Sequence, residues 1–241
     1  MITALHGRPM MASTPRFAVT EHTVPRAAGT YLDRGILFAS RGDFEMAIHD
    51  FTEALRLRPN WEAAYMLRGR ALQASVLHTT DIQASFEQFT SRHVSGRVTT
   101  EQARVLNLAI EDFSRAIRLD PNNARFYRER GWVHSNLWDF DRAIADLSQA
   151  IRLTPNSAGA YATRGAIHLN RGNFDLAIAD FNQAIRLDPN NANAFASRGI
   201  VHFNRGNINQ SVADLEAALR IEPNHPSARG NLDIVRRYRG W

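Results

Sequence analysis

The chain of 241 residues has no cysteine and no lysine. Without thiols there are no disulfides, no thiolate nucleophiles and no zinc sites built on sulfur ligands. Without lysine, all 29 basic residues are arginine, which stays charged at any physiological pH and offers a planar donor fork. The result is a sequence pI near 10.3 at a net charge of only +5. A balance that small does not by itself argue for nucleic-acid binding. No stretch approaches the roughly 18 apolar residues of a membrane span, and the N-terminus has no apolar h-region of a secretory signal. The expected location is therefore cytoplasmic. A glycine-rich phosphate loop, a zinc-protease helix and a nucleophile elbow are also missing. No catalytic residue, cofactor or metal site is expected.

What the chain does have is a repeated phrase. Arg130-Gly131, Arg164-Gly165 and Arg198-Gly199 recur at one fixed interval. Each opens a stretch of the form Ala177-x-x-Asp180-Phe181-x-x-Ala184-Ile185-x-Leu187-x-Pro189-Asn190. Self-similarity at a fixed period marks an elongated array whose units contact only their neighbours. Five units follow: 28–61, 62–123, 124–157, 158–191 and 192–225. The second is nearly twice as long as the others, with an insertion near 76–104.

Each unit reads as two helices. The first carries apolar residues at helical spacing, as in Tyr161, Gly165, His168 and Leu169. Turns such as Arg41-Gly42-Asp43-Phe44 and Arg171-Gly172-Asn173-Phe174 follow, where glycine supplies the left-handed end of a helix. Asp or Asn beside that glycine is expected to cap the next helix. The second helix ends before Pro189 and its equivalents. Small residues (Gly35, Gly69, Gly131, Gly165, Gly199; Ala47, Ala109, Ala143, Ala177, with Ser211 the polar departure) mark close helix approach. Phe51, Phe113, Leu147, Phe181 and Leu215 fill the space between.

These features resemble the tetratricopeptide repeat (TPR) family: a unit of about 34 residues, an aromatic then glycine in the first helix, alanine-x3-aromatic-x2-alanine in the second, then proline. The resemblance covers Ala28 to His225. It departs from the family at Arg34, Arg68, Arg130, Arg164 and Arg198, where leucine is more frequent, at Trp138 in place of the turn glycine, and in the split second unit. It implies an all-α fold, an α-solenoid of five helix pairs in a right-handed superhelix. Ser227 to Arg239 adds a C-terminal capping helix, its outward side carrying Arg229, Asn231, Arg236, Arg237 and Arg239. Residues 1–27, rich in Pro, Thr and Ala with Glu21 the single acid, read as a flexible leader.

In this family the first helices line a concave groove. The resemblance places Ile36, Met66, Arg70, Arg125, Arg128, Trp132, Leu169, Ile200 and Phe203 there. The Lys and Asn of the carboxylate clamp in chaperone-binding members are not reproduced, since their places hold Leu32 and Ile36, Arg128 and Trp132, Ala162 and Ala166. The lining suits a peptide with apolar anchors at Trp132, Ile200 and Phe203 and an acid facing Arg70, Arg125 and Arg128.

Two further series repeat with the period. Arg34/Asp50, Arg130/Asp146, Arg164/Asp180 and Arg198/Asp214 share one separation, and the split unit has Arg68 and Asp112. The spacing predicts bidentate ion pairs between helices, in preference to an arginine row that reads a polyanion. His134, His168 and His202 fall one repeat apart, about 10 Å by helix-packing distances, too far to share one metal ion, so core packing is expected. In the insertion, Thr99-x-x-Gln102 resembles a capping box. The insertion also contains Phe86-x-x-Phe89 and Ser95-Gly96, and both helices of the unit are expected to extend into a protruding hairpin around Arg92 to Thr100. The functional expectation is a non-enzymatic scaffold binding a peptide of a protein partner in its groove. The alternatives are a homo-oligomeric adaptor using leader or insertion, and an arginine-mediated nucleic-acid binder, which would show steep salt dependence.

Overall fold

A computed structural model describes residues 28–79 and 98–238. The leader, Phe86, Phe89 and the expected hairpin up to residue 97 lie outside the described residues. The described residues form eleven helices and no strand. They are α1 (Ala28–Ser40), α2 (Phe44–Leu57), α3 (Glu62–Thr79), α4 (Thr100–Leu119), α5 (Ala124–Asn136), α6 (Phe140–Leu153), α7 (Ala158–Asn170), α8 (Phe174–Leu187), α9 (Ala192–Asn204), α10 (Ile208–Ile221) and α11 (Pro226–Tyr238).

Helices pack in sequence order: α1 on α2, α3 on α4, α5 on α6, α7 on α8 and α9 on α10. Each second helix then packs on the first helix of the next pair, and α11 closes the array on α10. The first helices α1, α3, α5, α7, α9 and α11 also touch one another in succession, while the second helices make no comparable contact. A stack that brings one row of helices closer than the other must curve, with the closer row inside. The odd-numbered helices therefore line the concave side of this α-solenoid of five pairs plus a C-terminal helix, consistent with the right-handed superhelix expected.

The small/large register explains the close packing. Phe51, Phe113, Leu147, Phe181 and Leu215 are fully buried, as are Ala47, Ala109, Ala143 and Ala177. A Cβ on Gly131 would sit 3.2 Å from the backbone oxygen of Ala143, so a larger residue there would push α5 off α6. Ser211 takes the alanine place in α10, fully buried and with no partner for its hydroxyl.

The turns within pairs share one backbone pattern. Asn173 N donates to His168 O at 2.8 Å and Gly172 N to Leu169 O at 2.9 Å, the reciprocal bonds of a Schellman ending. The residue at its left-handed position is Gly42, Gly172 or Gly206, with φ between 76° and 84°. Trp138 holds the same place with φ 61°. The capping expectation needs correction. Only Asp139 accepts a backbone N–H, from Arg142, while Asp43, Asn173 and Asn207 make no side-chain cap. Side-chain caps instead start three first helices: Asn123 on α5, Ser157 on α7 and Asn191 on α9. The split unit keeps its helices and lengthens both, to 18 residues in α3 and 20 in α4. At the start of α4 the capping box forms, with Gln102 N donating to Thr99 Oγ1 at 3.2 Å and Thr99 N to Gln102 Oε1 at 2.9 Å.

Candidate functional site: the concave face and its arginines

Two groups among the arginines bear on the candidate site. Five are consumed by the framework. Nε and Nη2 of Arg68 donate to the two Asp112 oxygens at 2.8 and 2.7 Å. The same fork joins Arg34 to Asp50, Arg130 to Asp146, Arg164 to Asp180 and Arg198 to Asp214. In four of them the remaining Nη1 reaches back to the second helix of the preceding pair. It meets Thr52 Oγ1 at 3.1 Å from Arg68, Ser114 Oγ at 2.9 Å from Arg130, Ser148 Oγ at 2.9 Å from Arg164 and Asn182 Oδ1 at 2.6 Å from Arg198. Each guanidinium also lies over the aromatic ring three residues earlier, Tyr31, Tyr65, Tyr127, Tyr161 or Phe195. One side chain thus ties together both helices of its own pair and the pair before it. The aspartates are buried and the arginines partly so. Removing one partner would strand the other charge, at a cost of about 3–5 kcal/mol.

Local charge is set by this ladder. The bond from each aspartate holds Arg34, Arg68, Arg130 and Arg164 above the ordinary guanidinium pKa. Burial raises the Asp112 carboxyl and outweighs Arg68. At Asp50 burial also pushes upward, but bonds from Arg34 and His49 hold the carboxyl below its usual value. His134, His168 and His202 are buried beside the ladder, with Nε2 4.0, 4.0 and 3.8 Å from Asp146, Asp180 and Asp214. They are core groups with a polar edge. Burial pushes all three imidazoles below 6.5.

The second group is Arg70, Arg125 and Arg128 of the first helices α3 and α5, the residues expected on the groove row. Arg70 and Arg125 are exposed and Arg128 half-buried. Arg125 and Arg128 share one acid, Glu129, at 3.9 and 3.4 Å. Both also line an open pocket of about 490 Å³, together with Asp120, Asn122, Asn123, Thr154 and Ser157, where Asp120 already accepts from Asn122 N at 3.2 Å and Asn123 Nδ2 at 3.3 Å. Arg70 is not among its lining residues. Trp132, one turn further along α5, is half-buried against the cluster of Met66, Phe113 and Phe126. Ile36 is exposed, Leu169 half-buried against the Phe181 cluster, and Phe203 half-buried against the Leu215 cluster. Met66 and Ile200 each keep only 8% of their surface, inside the core.

The tetratricopeptide repeat pattern matches residues 32–88 and 102–158 in one form and 164–231 in another. The chain belongs to the tetratricopeptide repeat family. TPR arrays are folds of protein–protein interaction, and as a class they are scaffolds without catalysis of their own. Among solved TPR structures, MamA is 24% identical, with 81% of this chain and 92% of that one covered at a TM-score of 0.63. YrrB, a TPR protein with an unusual peptide-binding site, is 22% identical over 85% and 91% of the two chains, TM-score 0.59. TTC0263, a thermophilic TPR protein of Thermus thermophilus, is 17% identical over 87% and 98%, TM-score 0.58. At these identities the likeness speaks for the fold alone. No curated protein matches the chain. No helix among the described residues is long and apolar enough to cross a membrane.

One group was invisible to the pattern. Tyr238 of α11 stacks edge-on against Phe203, with ring centroids 5.5 Å apart. It covers part of a residue expected to face the groove. Of the polar outer side expected on α11, Arg229, Arg236 and Arg237 are exposed, but it is not polar throughout. Asn231 is half-buried, while Ile234 and Tyr238 are 52% and 74% exposed. Ala228, Leu232 and Val235 already satisfy the apolar stripe, so Ile234 and Tyr238 fall on a second face.

Proposed function

We propose that this TPR protein is a non-enzymatic scaffold that binds a peptide segment of a protein partner along its first helices, with an acidic group of the peptide seated at Arg125 and Arg128. The observation that carries this reading is the contrast between the two arginine groups. The ladder arginines are committed to aspartates and to the preceding pair, whereas Arg125 and Arg128 share one acid and line an open pocket. Asp120 in the same lining is already held by Asn122 and Asn123, so two guanidinium forks with the Thr154 and Ser157 hydroxyls remain to offer charge-assisted and neutral donors to a carboxylate. Trp132, one turn away, supplies an apolar anchor of the kind that dominates binding hot spots. Leu169 and Phe203 extend apolar surface along the row, and Ile36 continues it at the N-terminal end. Met66 and Ile200, being buried, support the lining from beneath.

A displayed library of random peptides tests this. The full-length chain is expected to enrich peptides that place an acid near an aromatic or aliphatic residue, and the variant Arg128→Ala/Trp132→Ala to enrich none of them. Equal enrichment by both proteins would sink the assignment. The nucleic-acid alternative loses its main donor row to the ladder.

A further inference from the structure

Helix α11 carries an exposed face whose one ring contact among the described residues is that of Tyr238, at its edge, with Phe203. Gly230, Asp233, Ile234, Arg237 and Tyr238 recur at helical spacing and all are exposed, opposite the buried stripe of Ala228, Leu232 and Val235 that packs on α9 and α10. Ile234 at the centre is half exposed and Tyr238 three-quarters exposed. Asp233 and Arg237 make no ion pair with any described residue, although their neighbour Arg236 holds Glu216 at 2.9 Å. Gly230 opens onto empty space, with nothing within 4 Å of where a Cβ would sit. An apolar centre flanked by one small residue, one large residue and two unpaired charges of opposite sign is a face left ready for a complement.

That complement is the face itself. We propose that α11 is a self-association surface, on which the α11 helices of two copies pack antiparallel about a two-fold axis through Ile234. Such a contact is isologous, so every residue must suit the one the symmetry brings to it. With a rise of about 1.5 Å per residue, Tyr238 stands about 6 Å from the axis point and meets Gly230 of the second copy at the same height. The absent side chain of Gly230 makes room for the ring and lets the helices approach closely. Ile234 meets its own mate. Asp233 and Arg237 of the second copy fall about 3 Å apart along the axis, within reach of the arginine stem, and the symmetry forms this pair twice. Parallel packing would instead bring Tyr238 against Tyr238 and like charges together. One helix pair buries less than the about 1,200 Å² of a standard interface, so the dimer is a weak one with a dissociation constant in the micromolar to millimolar range. The contact is separate from the Arg125–Arg128 pocket, and its test is read with no peptide present.

Sedimentation of the full-length chain over a concentration series from about 1 to about 500 µM is the measurement. The average mass is expected to climb from one chain toward two, and Ile234→Glu to stay at one chain throughout, with an unchanged circular dichroism spectrum. Asp233→Arg and Arg237→Asp are each expected to weaken association at least about tenfold, since each sets like charges face to face twice. The double variant Asp233→Arg/Arg237→Asp restores opposite charges and with them the wild-type concentration dependence. A wild-type chain that remains single over the whole range overturns the proposal. So does a dimer undiminished in Ile234→Glu, which would place the contact elsewhere, or a double variant no better than its parents.

Discussion

His134, His168 and His202 stand at the eleventh place of their units, where the first unit has Phe38 and the second Leu72. The fold therefore accepts an apolar side chain at this place, and the imidazoles sit there as buried neutral groups. Burial pushes each below 6.5. Asp146 and Asp139 pull upward on His134, as do Asp180 on His168 and Asp214 on His202, without overcoming it. Arg130 and Arg142, Arg164 and Arg171, and Arg198 and Arg205 act in the same direction as burial. The unfolded chain takes up protons at these imidazoles near pH 6.5 and the folded chain does so only at lower pH. Their contribution to stability is then full above that value and is lost as pH falls through it. The melting temperature is expected to fall between about pH 7.5 and about pH 5.5. In His134→Phe/His168→Phe/His202→Phe the fall over the same interval should be much reduced. An equal fall in the triple variant, followed by circular dichroism, would assign the proton uptake to other groups.

At the scale of the element, the turn between α5 and α6 is the anomaly. Leu137-Trp138 replaces the Arg-Gly of its counterparts, yet the bonds persist: Asp139 N donates to His134 O at 2.9 Å and Trp138 N to Ser135 O at 3.0 Å. Because those bonds are backbone to backbone, the turn survives the substitution and the strain falls on one residue. A side chain in the left-handed region costs about 1–2 kcal/mol. Trp138→Gly is accordingly expected to stabilise the protein by about 1 kcal/mol, the loss of the Trp138–Phe140 ring contact taking part of the gain. Urea unfolding measures it, and a destabilised variant would show that the indole contributes more by packing than the backbone loses. The existence of this turn was legible in sequence, since Trp138 falls at the glycine place of a fixed period. The missing caps at Asp43, Asn173 and Asn207 were not. Backbone geometry does not decide it, because Asp139 caps α6 after the same Schellman ending at nearly the same φ and ψ, so the difference lies in how each side chain is turned, which the repeat pattern does not carry.

For the whole molecule, the fixed period and the alternation of small and large residues made the solenoid readable, because each unit has one way to bury its stripe. The concave row was readable only as places. Whether a place faces solvent or core depends on the neighbouring helix. Met66 and Ile200 are buried while Ile36 is exposed, though all three stand at places the family uses for its groove. The second face of α11 escaped for a related reason: the repeat pattern stops at residue 225, so it does not say which stripe of α11 is buried. The array's one-dimensional character also shapes how it loses structure. Each pair is held by its own core and by its two neighbours, so damage at one end should stay there. Removing residues 226–241 takes Ala228, Leu232 and Val235 off the cluster around Leu215 and Ala218 and breaks the Arg236–Glu216 pair. Hydrogen exchange of the truncated chain is expected to run at least about tenfold faster in α9 and α10, a loss of about 1.4 kcal/mol or more of local stability. The amides of α1 and α2 should keep their wild-type protection, because no described contact joins them to the last pair. The concentration is held at the dilute end, where self-association through α11 does not contribute to the difference. Uniform loss of protection from α1 to α10 would mean that the five pairs open as a single cooperative unit, and that the ladder from Arg68 to Arg198 couples them more strongly than nearest-neighbour packing does.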